Sequence, residues 1–124
     1  PPLMPVDPVS RSKSRLALLH IENDWYRPME RIINGSEEQS QQARIQLEES
    51  LISSIEIFGI KPYFLSDEFS LVDCSIAPLL WRLPSLGIKL SAQAKPIIEY
   101  SKLVFDRPSF RSSLTEQEFE MFPA

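Results

Sequence analysis

The side chains that could do chemistry in this 124-residue sequence are few: His20, Cys74, and the pair Ser70 and Asp73. A histidine acts as general acid or base only with a nucleophile or carboxylate beside it. His20, the one histidine, lies off the apolar stripe of its helix, which marks a surface or interface position. Cys74, the one cysteine, falls in the first turn of a helix, where the N-terminus can lower a thiol pKa. Its neighbours are apolar, so it reads as a buried structural thiol. Ser70 and Asp73 have the spacing of a capping box, in which each side chain accepts a hydrogen bond from a free backbone N–H near the other. Capping explains both residues without catalysis. Phe69, just ahead of the cap, would begin a hydrophobic staple whose partner four positions into the helix is Cys74.

One cysteine and one histidine exclude a disulfide framework and a Cys/His zinc site within the chain. No catalytic residue, metal ligand or cofactor is expected. Asn34-Gly35-Ser36 matches a glycosylation acceptor but reads as a turn between helices. Trp25 and Tyr26 read as core or interface aromatics, and Glu37 and Glu38 as a solvated face. There is no Gly-rich phosphate loop.

The net charge of −4 and pI of about 5.0 oppose a nucleic-acid surface, because phosphate binding needs clustered Lys and Arg. Direct sequence-specific nucleic-acid binding is not expected. The short basic cluster Arg11, Lys13 and Arg15 reads as a solvated helix flank. The longest apolar run, 71–86, contains Pro78 and Pro84 and falls short of the roughly 20 residues a membrane span needs. No signal-peptide pattern is seen, and a lone thiol agrees with a reducing compartment, so a cytoplasmic protein is expected.

The elements holding these residues are helical. Apolar content of 43% with only three glycines argues for one globular domain and against a sheet full of tight turns. Residues 1–7 form a proline-rich linker, read with the absent initial Met as cut from a longer protein with a missing N-terminal domain. Asp7 then caps a first helix with Pro8 at its first position. That helix spans about 8–33, buries Leu18, Ile21, Trp25, Met29 and Ile32, and should kink at Pro28. Asn34-Gly35 is expected to stop it in a left-handed turn.

Ser36 and Gln39 form a second capping box and open a helix over 36–58. Its stripe is Ala43, Leu47, Leu51, Ile55 and Phe58, and Gly59 ends it. A loop leads to a central helix over 71–86, apolar nearly all round and ended by Gly87; such a helix belongs at the centre of an all-α domain. A fourth helix starts near Pro96, Arg107-Pro108-Ser109-Phe110 restarts a short one, and Thr115 with Glu118 caps a final turn or two. The expectation is an all-α bundle of about five to six helices over 8–124, with the central buried helix near 71–86.

A helical domain behind a proline linker, with a capped central helix reading Phe69-Ser70-Leu71-Val72-Asp73, resembles the C-terminal domain of the glutathione S-transferase fold. The Arg107-Pro108-Ser109-Phe110 element recurs in that superfamily. Within it, Pro1-Pro2-Leu3-Met4-Pro5-Val6, the stretches 21–26 and 32–35, and above all 61–86 resemble the stringent starvation protein A family.

That resemblance implies a transcription regulator without catalysis, a homodimer that binds RNA polymerase holoenzyme carrying the housekeeping sigma factor. It implies that a Pro-His-Pro surface loop serves this binding, with Pro1 as its last proline and Pro2, Met4 and Pro5 continuing the partner-binding segment. The first two helices would supply half of the dimer interface. The competing reading is the helical half of a glutathione-dependent transferase whose activating hydroxyl or thiol lies in the missing domain. A helical adaptor of the same fold is a third.

Overall fold

The computed structural model describes residues 3–122. Asp7 caps the first helix by accepting the N–H of Val9 (3.3 Å) and of Ser10 (3.0 Å), with Pro8 at the first helical position. Helix α1 runs Pro8–Ile21 and α2 runs Arg27–Asn34; between them Glu22–Tyr26 forms a π-helical turn. The expected single helix over 8–33 is therefore interrupted, ahead of Pro28. Pro28 has no N–H to offer the Asp24 carbonyl. The ladder widens before it, and the Arg27 N–H reaches back five residues to Glu22. Trp25 is carried by this wide turn and is fully buried.

Gly35 ends α2 in an extended conformation (φ −78°, ψ 173°), not the expected left-handed one. The glycine answers a close approach instead: a Cβ there would stand 2.6 Å from the Arg31 carbonyl oxygen. The Ser36–Gln39 capping box is formed, at 3.2 Å and 2.9 Å. Helix α3 (Glu37–Ser53) follows, then α4 (Ile55–Ile60). The expected continuous helix over 36–58 thus breaks at Ser54, and Gly59 lies inside α4 rather than ending it. Ser54 is buried, and its hydroxyl donates to the Ser50 carbonyl (3.0 Å), the local bonding by which serine competes with the helical ladder.

Helix α5 (Leu71–Arg82) passes into a 3-10 turn, Leu83–Leu86, which Gly87 closes in the left-handed region at φ +80°. A short 3-10 turn at Ala92–Ala94 leads into α6 (Lys95–Phe105), followed by α7 (Pro108–Ser113) and α8 (Glu116–Glu120). Taken across their internal breaks these elements make six helical units, and no strand occurs among the described residues beyond one bridge between Tyr63 and Ser66.

Helix α5 is the core of the domain, packed on α1 and α6, while α2 packs on α3 and α4 on α6. Ile76, Ala77, Leu79, Leu80 and Trp81 are buried on it against Ile21, Ile97 and Val104. Its first turn is an exception to the expected all-round burial, because Leu71 and Cys74 face outward. Two aromatic groups fill the ends of the core. Trp25, Phe58, Phe64 and Tyr100 meet at one, and Trp81, Phe105, Phe110 and Phe122 at the other.

Candidate partner-binding surface

The proline-rich N-terminal segment is docked on the start of α5. The Leu71 N–H, one of the donors a helix leaves free in its first turn, donates to the Leu3 carbonyl at 3.0 Å. Met4 and Pro5 are half-buried there, whereas Leu3 and Val6 are exposed. Pro1 and Pro2 lie outside the described residues.

Asp73 holds this end of the helix in place. It is fully buried and accepts from the Ser70 N–H (2.9 Å) and the Ser70 hydroxyl (3.3 Å), while Ser70 Oγ accepts the Val72 N–H (3.2 Å). The expected cap is therefore present, and it is only part of what the carboxylate does. Asp73 also accepts from the Phe64 N–H across the loop (3.0 Å) and from the Tyr100 hydroxyl on α6 (2.6 Å). One carboxylate thus ties α5, the loop before it and α6 together. Burial, then the negative Asp73, pushes the Tyr100 phenol far above its ordinary range, so it stays a hydrogen-bond donor. The loop residue Leu65 takes φ +57° between the paired Tyr63 and Ser66, a conformation that costs about 1–2 kcal/mol. Phe64 beside it is held by Asp73 and buried in the core.

Phe69 packs on the Tyr63 ring, and the Arg107 guanidinium lies 3.8 Å from the Phe69 ring centre. Phe69 thus packs on Tyr63 and Arg107 just ahead of the cap. Arg107 reaches from the turn before α7, which gives the Arg107-Pro108 element a contact with the α5 cap.

Cys74 is exposed, which corrects the buried thiol expected from its neighbours. In α5 the buried face carries Val72, Asp73, Ile76 and Ala77; of the two positions between, Cys74 turns outward and Ser75 is half-buried. Partial desolvation, then Asp73 beside it, raises the Cys74 pKa above the ordinary 9.0, opposite to helix-end activation. His20 is exposed as expected; its Nδ1 lies 2.7 Å from Asp24 Oδ2, and its ring meets the edge of Trp25. Tyr26 donates to the Ser75 carbonyl at 2.6 Å, and burial pushes its phenol up to about 12. Among the described residues no group of three or more His, Cys, Asp or Glu side chains is placed to hold a metal ion. No helix of the described residues is long and apolar enough to cross a membrane.

The sequence gives no direct sign of Tyr100 and Tyr26 as partners of α5. A buried acid with more lone pairs than a cap uses would have called for such donors.

The arrangement of a docked linker, a capped central helix and flanking helices is that of a known fold class. The glutathione S-transferase, C-terminal domain family matches residues 17–108, and the chain belongs to it. The fold agrees with that of the tau-class glutathione S-transferase MiGSTU from mango, Mangifera indica. That match has a TM-score of 0.75 and 22% identity over 98% of this chain and 60% of the other. Glutathione transferase Omega 3C from Trametes versicolor matches with a TM-score of 0.77 and 24% identity, over 92% of this chain and 53% of the other.

The particular relatives are more telling. The chain is 47% identical over 122 residues to the stringent starvation protein A homolog of Coxiella burnetii, covering 98% of this chain and 58% of the relative. It is 50% identical over 115 residues to the homolog of the same name from Pasteurella multocida, covering 92% and 54%. A more distant likeness, 26% over 117 residues, is to a probable glutathione S-transferase parA of Nicotiana tabacum. The chain spans little more than half the length of these curated relatives.

Proposed function

We infer that this domain is the helical half of a transcription regulator that binds RNA polymerase holoenzyme carrying the housekeeping sigma factor under starvation or stress, by protein contact and without catalysis. The observation that carries the reading is the 47–50% identity, over more than nine-tenths of the chain, to stringent starvation protein A homologs. The geometry supports it in two ways. The linker is fixed to the α5 start through Leu3 and Leu71, so Met4 and Pro5 would present a contact segment on a rigid base. The exposed thiol of Cys74, the half-buried phenol of Tyr26 and the buried phenol of Tyr100 are all shifted toward their protonated, unreactive forms.

Dimerisation through the first two helical units belongs to the same reading. Ile45 and Ile52, seven residues apart on α3, are exposed, as is Ile33 on α2, which packs against α3. The protein would act in the cytoplasm, with its polymerase. The likeness to parA favours a second reading, the helical half of a glutathione-dependent transferase. A pull-down of the full-length protein against polymerase holoenzyme, with glutathione-agarose in parallel, separates the two. Retention on holoenzyme alone is expected. Retention on glutathione alone would replace the regulator with an enzyme.

A further inference from the structure

An apolar cavity of about 630 Å³ lies between α5, the segment after Gly87, and α6, remote in sequence from the linker. Its wall on α6 is one helix face, Ile98, Ser101, Lys102 and Phe105, spaced 3, 1 and 3. The hollow comes from Ser101, a small residue where a core position would carry a large one. Its hydroxyl is turned into its own helix, donating to the Ile97 carbonyl at 2.8 Å. The floor is Leu80 and Leu83. The opposite wall exists because Gly87 reverses the chain in a left-handed turn and the Ile88 N–H returns to the Leu83 carbonyl (3.1 Å), which lays 88–90 alongside α6.

The volume falls in the range of about 300–1,000 Å³ typical of small-ligand sites. Such sites are apolar with a few placed polar groups, and here those groups are two cations. Lys89 from one wall and Lys102 from the other both line the cavity and are both exposed. Among the described residues neither is in an ion pair, although Lys95 on the same helix is paired with Glu99. Asp106 and Glu120 line the adjoining hollow that shares Lys102, not this one. An apolar hollow with an unpaired lysine on each wall complements one class of ligand, an apolar body ending in an anion.

We propose that this cavity binds a small amphipathic carboxylate, with its alkyl or aryl body between Leu83, Ile88 and Ile98 and its carboxylate at Lys89 and Lys102. None of residues 3–7 lines the site; resting on the regulator reading above, it would give the protein a metabolite-responsive face.

The test is a titration of decanoate into the full-length protein, followed through the isoleucine δ-methyl NMR signals. The signals of Ile88 and Ile98 should move with saturation, while those of Ile21 and Ile76, buried elsewhere in the core, stay fixed. Decanol, which keeps the chain but lacks the charge, should bind about tenfold more weakly. The surface double variant Lys89→Glu, Lys102→Glu should weaken decanoate by about tenfold with an unchanged circular dichroism spectrum, the scale expected for reversing two exposed charges. Equal affinity for decanol, wild-type affinity in the double variant, or no movement at Ile88 and Ile98 at millimolar decanoate would overturn the proposal. Movement of these signals with protein concentration alone would also overturn it, by showing that a second copy covers the groove.

Discussion

Replacing Asp73 with alanine should cost much more than a helix cap. An N-terminal cap is worth about 1 kcal/mol. Asp73, however, is fully buried and also accepts the Phe64 N–H, the Ser70 N–H and the Tyr100 hydroxyl. Each buried donor left without a partner costs about 1–3 kcal/mol. With Ser70 only part-buried and counted at the low end, the expected loss for Asp73→Ala is about 4 kcal/mol. That is a large share of the roughly 5–15 kcal/mol by which a domain is stable. Tyr100→Phe alone should cost about 1.5 kcal/mol, the scale of one hydrogen bond to a charged group. The double variant should be less destabilised than the sum by about 1 kcal/mol, because the second change removes the hydroxyl that the first leaves stranded. Urea unfolding of the full-length protein by circular dichroism reads all three values. A loss near 1 kcal/mol for Asp73→Ala, or strict additivity with Tyr100→Phe, would refute the idea that one carboxylate joins α5, its loop and α6.

Gly87→Ala should destabilise by about 1–2 kcal/mol, since Gly87 sits at φ +80° and an added Cβ would lie 3.1 Å from Arg44 Nε; the urea midpoint reads this. That clash would also disturb the bond from Arg44 Nε to the Leu86 carbonyl (2.7 Å), so Arg44→Met should relieve part of the cost. Backbone hydrogen bonding at Thr115, then Arg82, holds the Glu118 carboxyl below its ordinary 4.5. A lowered folded value adds stability above pH 4.5 that is lost as the pH falls through the folded value. Below pH 4.5, α8 should therefore loosen, seen as a shift of the Trp81 indole N–H signal, whose partner is the Glu118 carbonyl. Alkylation of Cys74 by iodoacetamide should have a pH midpoint above 9.0; a midpoint near neutrality would reveal an activated thiol.

The helix starts were the most legible part of the fold. Asp7, Ser36, Ser70 and Thr115 cap where their spacing places them, because a cap is settled by residues three apart in the chain. The interior breaks were not legible in full. Pro28 announced a disturbance, but its form, a π turn ahead of the proline, depends on how Trp25 is seated in the core. Ser54 gave no warning, because a serine in a helix either faces water or bonds back to its own turn, and packing decides which. Cys74 was misplaced for a related reason. An apolar neighbourhood in sequence does not say which side of α5 meets its partners, and the first turn of a buried helix can still reach the surface. The linker's seat on Leu71 and the Tyr100 partner of Asp73 are long-range contacts, and no local pattern encodes them.

In the proposed function, the segment seated on the capped start of α5 would make the polymerase contact. The most direct test is the affinity of full-length Met4→Gln for RNA polymerase holoenzyme, measured beside its urea stability. Binding should weaken by about fivefold or more, the cost of an interface residue worth at least 1 kcal/mol, with the unfolding midpoint unchanged. Wild-type affinity in a variant of wild-type stability would contradict it and remove the linker from the contact surface.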